Sequence, residues 1–115
     1  MLLRDLGEDQ LLPAYGILFQ QIYPHGGEDL ADWGIGRSVV EPGGGTAPHS
    51  HDEHELFVIL SGGGVMTIED ERRPVGAGQA VLIPRHSRHD LANTSSERLV
   101  FLNVYWPEQL GSVDL

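Results

Sequence analysis

Apolar residues occur along this chain in short runs, which glycine, proline, asparagine and aspartate separate from one another. The runs have the length of strands, and several alternate apolar with polar positions or are rich in β-branched and aromatic residues. On this pattern we predict six or more strands, among them residues 16–23, 35–42, 55–60, 65–70, 79–84 and 97–106, and a hairpin that pairs residues 65–70 with residues 72–75. Many short strands joined by tight turns predict an all-β, antiparallel sandwich or barrel.

A length of 115 residues, 40% of them hydrophobic, is enough for one compact core. We therefore predict a single domain over residues 1–115. Residues 1–15 are an N-terminal arm in this prediction, either a short helical turn or an extended segment packed on a sheet, and the pattern favours neither. Residues 107–115 are predicted to be a C-terminal tail, because glycine, serine and aspartate leave little there to bury.

Charge and composition narrow the function. The net charge is -10 and only 7 residues are lysine or arginine, so no nucleic-acid partner is expected. No apolar run approaches the length of a membrane span and the N-terminus lacks the pattern of a signal peptide, so no membrane partner and a cytoplasmic location are expected. Cysteine is absent, which excludes disulfides and thiolate sites and leaves nitrogen and oxygen ligands for any metal.

The segment PHSHDEHELFVILSG, residues 48–62, concentrates imidazoles and carboxylates directly before an apolar strand. In an extended segment His49 and His51 point to the same side. Glu55 begins the next strand with the parity of its apolar residues, and an isolated ionised acid among them is costly. A divalent cation compensates that charge and accepts nitrogen and oxygen ligands together. We expect a fourth ligand from a distant strand, and His89 is the natural candidate.

Two stretches of the sequence resemble the two motifs of the cupin family. The first, GGGTAPHSHDEHELFVILSG, matches that family at Gly43, His49, His51, Glu55 and Gly62. The second, GQAVLIPRHSRHDLAN, matches at Gly78, Pro84, His89 and Asn93. The similarity covers residues 35–106, and the motifs occur in the family's order.

This resemblance implies the cupin jelly-roll fold, a double-stranded β-helix barrel. It also implies that His49, His51, Glu55 and His89 are the metal ligands. Such a set suits one divalent transition metal, whether zinc, iron, manganese, nickel, cobalt or copper. Small cupins commonly pair, so a homodimer is expected. The apolar face of the last predicted strand is a candidate contact, although a domain core has the same pattern.

Three further residues are candidates for proton transfer or substrate positioning. Asn103 and Tyr105 share one face of the last strand, where they either line the cavity near the metal or form a sheet-edge or dimer contact. His86 stands two positions after the motif proline, where the family usually has glycine. It is either a turn residue with positive φ or an additional imidazole at the cavity mouth.

The resemblance implies a metal-dependent enzyme of small-molecule metabolism. We expect the metal to act as a Lewis acid in a non-redox rearrangement, cyclisation or isomerisation. The segments 23–27, 39–62 and 101–108 are also similar to the cupin partners of hydrazine synthetases, which form an N–N bond by rearrangement. An iron(II) dioxygenase and a non-catalytic ligand-binding or sensor module remain alternatives, because a fold and a ligand set do not determine the reaction.

Overall fold

The computed structural model describes residues 1–107, which contain a short 3-10 helix, Glu8–Gln10, and nine strands. The strands, numbered β1 to β9 in chain order, are Leu12–Ala14, Ile17–Tyr23, Gly34–Val40, His54–Ser61, Gly63–Ile68, Glu71–Gly76, Ala80–Ile83, His89–Ala92 and Leu99–Trp106. All six predicted strands are present, with ends within two residues of the predicted ones.

The strands form two sheets that pack face to face. Six strands make the larger sheet in the order β1-β2-β3-β9-β4-β7, and β6-β5-β8 make the smaller one. Every pairing among the named strands is antiparallel, which confirms the predicted all-β, antiparallel fold. Short turns join β4 to β5 and β5 to β6, whereas longer segments join β2 to β3 and β3 to β4.

Both sheets contribute to a single apolar core between them. In β4 the buried positions alternate with partly exposed ones, so the inward side chains follow the two-residue period of a strand. The strand β9 begins with the same alternation. The core side chains are Val40, Phe57, Ile59, Met66, Ile83, Leu91, Leu99 and Phe101.

The N-terminal arm combines both of the structures that the sequence left open. The 3-10 helix is its helical turn, and β1 is an extended segment that pairs with β2 at the edge of the larger sheet. The Gln20 amide donates to the Asp5 carbonyl oxygen at 2.8 Å, and Arg37 donates to that of Gly7 at 2.9 Å.

The predicted tail lies outside the described residues except for Pro107. Within residues 1–107 no helix has the length and apolar character that a bilayer crossing requires.

The inward face of β3 carries unusually small side chains. Gly34, Gly36 and Ser38 occupy alternate positions of this strand and lie opposite the inward residues of β9, its neighbour in the sheet. At Gly36 a Cβ atom would overlap the Phe19 ring and come within 3.0 Å of the Asn103 amide oxygen. Because β3 itself fills so little space, side chains of the neighbouring strands border the interior there, with the Tyr105 ring over Gly34 and the Phe19 ring over Gly36.

Candidate metal centre

Four side chains from separate parts of the chain meet at one end of this open interior. Each of them offers one nitrogen or oxygen atom, and these atoms all lie within 4.8 Å of one another. Glu55 comes from the start of β4 and His89 from the start of β8, whereas His49 and His51 lie in the segment before β4. The structure thus brings together the four residues that the sequence predicted as ligands.

A ladder of backbone hydrogen bonds places His49 beside His89. The two residues pair in antiparallel fashion, and their N–H groups donate to each other's carbonyl oxygens at 3.1 and 2.8 Å. Further bonds join Thr46 to Leu91 and Gly43 to Asn93 along the same segment. At Gly45 a Cβ atom would come within 2.9 Å of the Leu91 carbonyl oxygen, so the close approach to β8 requires glycine there. The sequence predicted an extended segment at this place, and the structure has an irregular one that is tied to β8.

Hydrogen bonds fix the orientation of two of the imidazoles. The Nδ1 atom of His49 lies 2.6 Å from the Ala47 carbonyl oxygen, and that of His89 lies 2.8 Å from the Ser87 carbonyl oxygen. A carbonyl oxygen only accepts, so each Nδ1 carries the proton and each Nε2 keeps its lone pair for the cluster. Metal-binding histidines are commonly oriented by such contacts.

The polar atoms inside the cluster test whether a metal fits these residues. The side chains of His89 and Glu55 are 2% and 7% exposed, yet His89 Nε2 and Glu55 Oε1 make no hydrogen bond of good geometry. Glu55 Oε1 lies 2.8 Å from His51 Nε2 and 3.3 Å from His89 Nε2, which are contacts between groups that converge on one point. Buried polar atoms without partners are costly, and a shared cation provides a partner for all of them. The donor set fits a divalent transition metal.

The protonation of His51 and His89 depends on this arrangement. Burial lowers the pKa of His51, and the neighbouring imidazoles act in the same direction against the opposing effect of Glu55. Burial also acts to lower the pKa of His89, but its contacts with Glu55 and with the Ser87 carbonyl outweigh that effect and raise the pKa overall. Neutral imidazoles are the form that binds metal, so His51 is already favoured in its ligating state.

The cluster lies at the end of a cavity of about 310 Å³ between β2, β3, β4 and β9. Three phenylalanines, Phe19, Phe57 and Phe101, form much of its wall, and the rings of Phe57 and Phe101 are 4.4 Å apart. His49, His51 and Glu55 line the same cavity, so a molecule inside it reaches the cluster directly.

Two polar pairs lie in the wall that β2, β3 and β9 form. The structure places Tyr105 and Asn103 in this cavity wall. Gln21 donates to the Tyr105 hydroxyl oxygen, and Ser38 Oγ lies 3.4 Å from the Asn103 amide oxygen. Burial raises the pKa of Tyr105 even though Gln21 acts in the opposite direction. The phenol therefore stays protonated, and its own proton remains available to a bound molecule.

His86 lies at the rim, outside the lining of this cavity. Its side chain is 67% exposed and its Nε2 is 3.3 Å from an Asp52 oxygen. Its φ angle is 66°, the left-handed conformation that the turn interpretation requires. The Asp52 carboxylate also contacts Arg85, whose backbone N–H donates to His54 Nδ1 at 3.0 Å. These contacts hold the ligand-bearing segment against the turn between β7 and β8.

Other motif residues have structural positions. Gly62 has a φ of +79°, and a Cβ atom there would overlap the backbone of Arg98. Asn93 is 2% exposed, and its amide donates to the carbonyl oxygens of Val40 at 2.9 Å and Glu97 at 2.7 Å. These residues stabilise turns near the core and stay outside the cavity wall.

The sequence analysis missed half of the cavity wall. It did not single out the lining residues Tyr15, Ile17, Phe19, Gln21, Ser38, Thr46 and Glu53. The available signal was the small inward face of β3, since glycine, glycine and serine at alternate positions of one strand indicate an interior that its own side chains do not fill. The residues that border such a space also depend on strand order, which the sequence did not reveal.

Comparisons with known proteins agree with this geometry. A family model described as "Cupin domain" matches residues 36–105. Among curated proteins the chain is similar to "Protein SchB" from Streptomyces halstedii, with 38% identity over 85 residues. That match covers 70% of this chain and 62% of SchB, so the chain spans less than two thirds of this relative.

Two solved structures share the fold over almost the whole chain. One is the plu4264 protein from Photorhabdus luminescens, with a TM-score of 0.84, 28% identity, and coverage of 94% of this chain and 89% of that one. The other is a cupin 2 conserved barrel domain protein from Salinispora arenicola, with a TM-score of 0.84, 28% identity, and coverage of 94% and 90%. They confirm the double-stranded β-helix barrel that the motifs implied.

Proposed function

Since this chain belongs to the cupin family, we propose that it is a metal-dependent enzyme of small-molecule metabolism, in which one divalent metal acts as a Lewis acid in a non-redox rearrangement, cyclisation or isomerisation. The observation that carries the proposal is the convergence of His49, His51, Glu55 and His89 at the end of a cavity. When bound, the metal supplies a Lewis acid that polarises a carbonyl, carboxylate or amine.

The chain's own residues supply the rest of the chemistry. Tyr105 holds a proton at its hydroxyl oxygen, and Gln21 orients that oxygen by donating to it. Asn103 provides a second polar group in the same wall. Glu53 lies between the ligands His51 and Glu55 in the sequence, and its side chain lines the cavity. Its carboxylate can accept a proton or a hydrogen bond from a bound molecule. Apolar rings cover much of the remaining wall and limit the access of water.

The metal site is tested by elemental analysis of protein purified without a polyhistidine tag. We expect about one divalent transition metal per chain. His49→Ala, His51→Ala and Glu55→Ala should each lose the metal, because each removes one of only four ligands. His25→Ala is the matched control, since His25 is an exposed histidine in the loop between β2 and β3. Equal metal content in all four variants would refute the site.

The reaction class is tested with the metal-loaded protein and a metabolite extract. A rearrangement, cyclisation or isomerisation that loses no atoms gives a product with the mass of its substrate, without net consumption of oxygen. Metal-dependent oxygen uptake would instead identify a dioxygenase. Retention of a metabolite without its conversion would identify a binding or sensor module.

We also propose that the protein is a homodimer, as small cupins commonly are. On the outer face of the larger sheet, Trp33, Ile35, Val104 and Trp106 line an apolar groove, and Trp33 is 43% exposed. Burial of such a groove against a second copy is favourable. Sedimentation analysis should show a dimer that Val104→Arg dissociates, whereas a monomeric wild-type protein would refute the proposal.

A further inference from the structure

The cavity wall has no cationic side chain. The chain contains seven cationic residues, all of them arginine. All seven lie within residues 1–107, and none of them lines the cavity. Several have partners elsewhere, as Arg98 does with Glu8 and Glu41. A substrate anion would therefore find hydrogen-bond donors in the wall but no positive charge apart from the metal itself.

The charges that do face the cavity favour an uncharged occupant. The ligand carboxylate of Glu55 and three neutral imidazoles leave one positive charge on a divalent metal centre. Glu53 is a second carboxylate in the wall, and it balances that remaining charge. An anionic substituent inside the cavity would be repelled by Glu53, whereas a hydroxyl or amine hydrogen could be donated to it.

The shape and surface of the cavity favour a ring. An apolar cavity of about 150 Å³ holds one benzene molecule, and this cavity measures about 310 Å³. Phe19, Phe57 and Phe101 supply the aromatic apolar surface of this cavity. The polar wall that β2, β3 and β9 form offers hydrogen-bonding groups in the Gln21–Tyr105 and Ser38–Asn103 pairs.

We propose that the cavity takes an uncharged molecule built on an apolar ring, with oxygen donors at the metal and a hydrogen-bonding substituent toward the polar wall. This inference rests on the proposed metal site and adds the class of substrate to it. Strongly anionic metabolites, such as dicarboxylates and sugar phosphates, fall outside that class.

The test uses cobalt(II)-loaded protein and three probes that share one chelating group: acetohydroxamic, benzohydroxamic and 4-carboxybenzohydroxamic acid. Binding is followed by the visible absorption of cobalt. Benzohydroxamic acid should bind at least about tenfold more tightly than acetohydroxamic acid, because its phenyl group is buried between apolar rings. The carboxylated probe should bind about tenfold more weakly than benzohydroxamic acid, since its added charge has no partner. Equal affinity of all three, or a preference for the carboxylate, would overturn the proposal.

Two variants test whether the preferences among the three probes arise from binding in the cavity. Phe19→Ala removes one apolar wall and should reduce the preference for the phenyl probe at least threefold, by roughly the loss of buried area. Glu53→Gln keeps the shape of the side chain and should improve binding of the carboxylated probe alone. The control is Leu60→Ala, because Leu60 is 51% exposed and lies outside the cavity lining. Unchanged probe preferences in both cavity variants would place the probes elsewhere and overturn the proposal.

Cobalt uptake is measured first, because it distinguishes a failure of the proposed metal site from a failure of the proposed substrate class. A protein that takes up no cobalt contradicts the metal site and therefore both proposals. A protein that takes up cobalt and selects small or anionic probes contradicts only the substrate class.

Discussion

The two ends of the cavity are built in different ways. At the metal end four polar side chains meet, and backbone hydrogen bonds and carbonyl contacts fix two of them, His49 and His89. At the opposite wall, the strand β3 contributes almost no side-chain volume, and the space takes its shape from neighbouring strands. The first end is defined by which residues are present, and the second by which side chains are missing.

Because the two ends are built differently, metal binding and the choice of substrate depend on different residues. A change at the far wall alters the shape and polarity of the cavity without touching a ligand. A change at the metal end removes a ligand and leaves buried polar atoms without partners. We therefore expect substitutions at the two ends to have separable effects on metal binding, stability and ligand choice.

The largest expected effect is at the metal end. A ligand present at a thousand times its dissociation constant stabilises a protein by about 4 kcal/mol, so excess zinc should raise the melting temperature of the wild-type protein by on the order of 10 °C or more. His89→Ala should abolish nearly all of that increase. Calorimetry with zinc and with a chelator measures both, and an equal zinc effect in the variant would contradict the difference between the two ends.

A moderate effect is expected at the far wall. Gly34→Ala would place a methyl group against the Tyr105 ring. Overpacking of this kind costs about 1–3 kcal/mol, which urea unfolding measures, while zinc affinity should stay within about threefold of the wild type. Gly76→Ala is the control, because its Cβ would be 3.6 Å from the nearest atom, the Gly62 carbonyl oxygen. A large loss of zinc affinity in Gly34→Ala would show that the ends are not separable.

The smallest effect is expected at the rim. His86→Gly relieves a left-handed conformation that costs a residue with a side chain about 1 kcal/mol, and it removes a contact with Asp52 in which both side chains are largely exposed. Stability should therefore change by no more than about 1 kcal/mol, toward greater stability. Zinc and benzohydroxamic acid should bind as before. A tenfold loss of either would assign His86 a part in the site.

The sequence predicted the metal end because residue types and spacing define it. Alternation placed Glu55 among the inward apolar residues of β4 and pointed His49 and His51 to one side, and the motif resemblance implied the same ligands together with His89. The same parity argument placed Asn103 and Tyr105 on one face, and the structure puts that face in the cavity wall. The wall from β2 was missed because it depends on β2 and β9 lying on either side of β3, a long-range arrangement that no local pattern contains.

The sequence did not define the bounds of two short strands, for physical reasons. The strand β8 is four residues long and follows a turn rich in polar residues, so it has too few positions for an alternation of apolar and polar residues to be detected. The strand β1 contains Pro13, which weakens a strand prediction although proline is tolerated at a sheet edge. The edge position of β1 in the larger sheet accommodates it.

The pairing of His49 with His89 has a consequence for folding. These residues are distant in sequence, and between them lie the strands β4 to β7. A metal held by both would act as a reversible cross-link that closes this long loop and lowers the entropy of the unfolded chain. Loss of the ion would then loosen the segment that bears His49 and the start of β8 first. Limited proteolysis would cleave the chain there before the core unfolds.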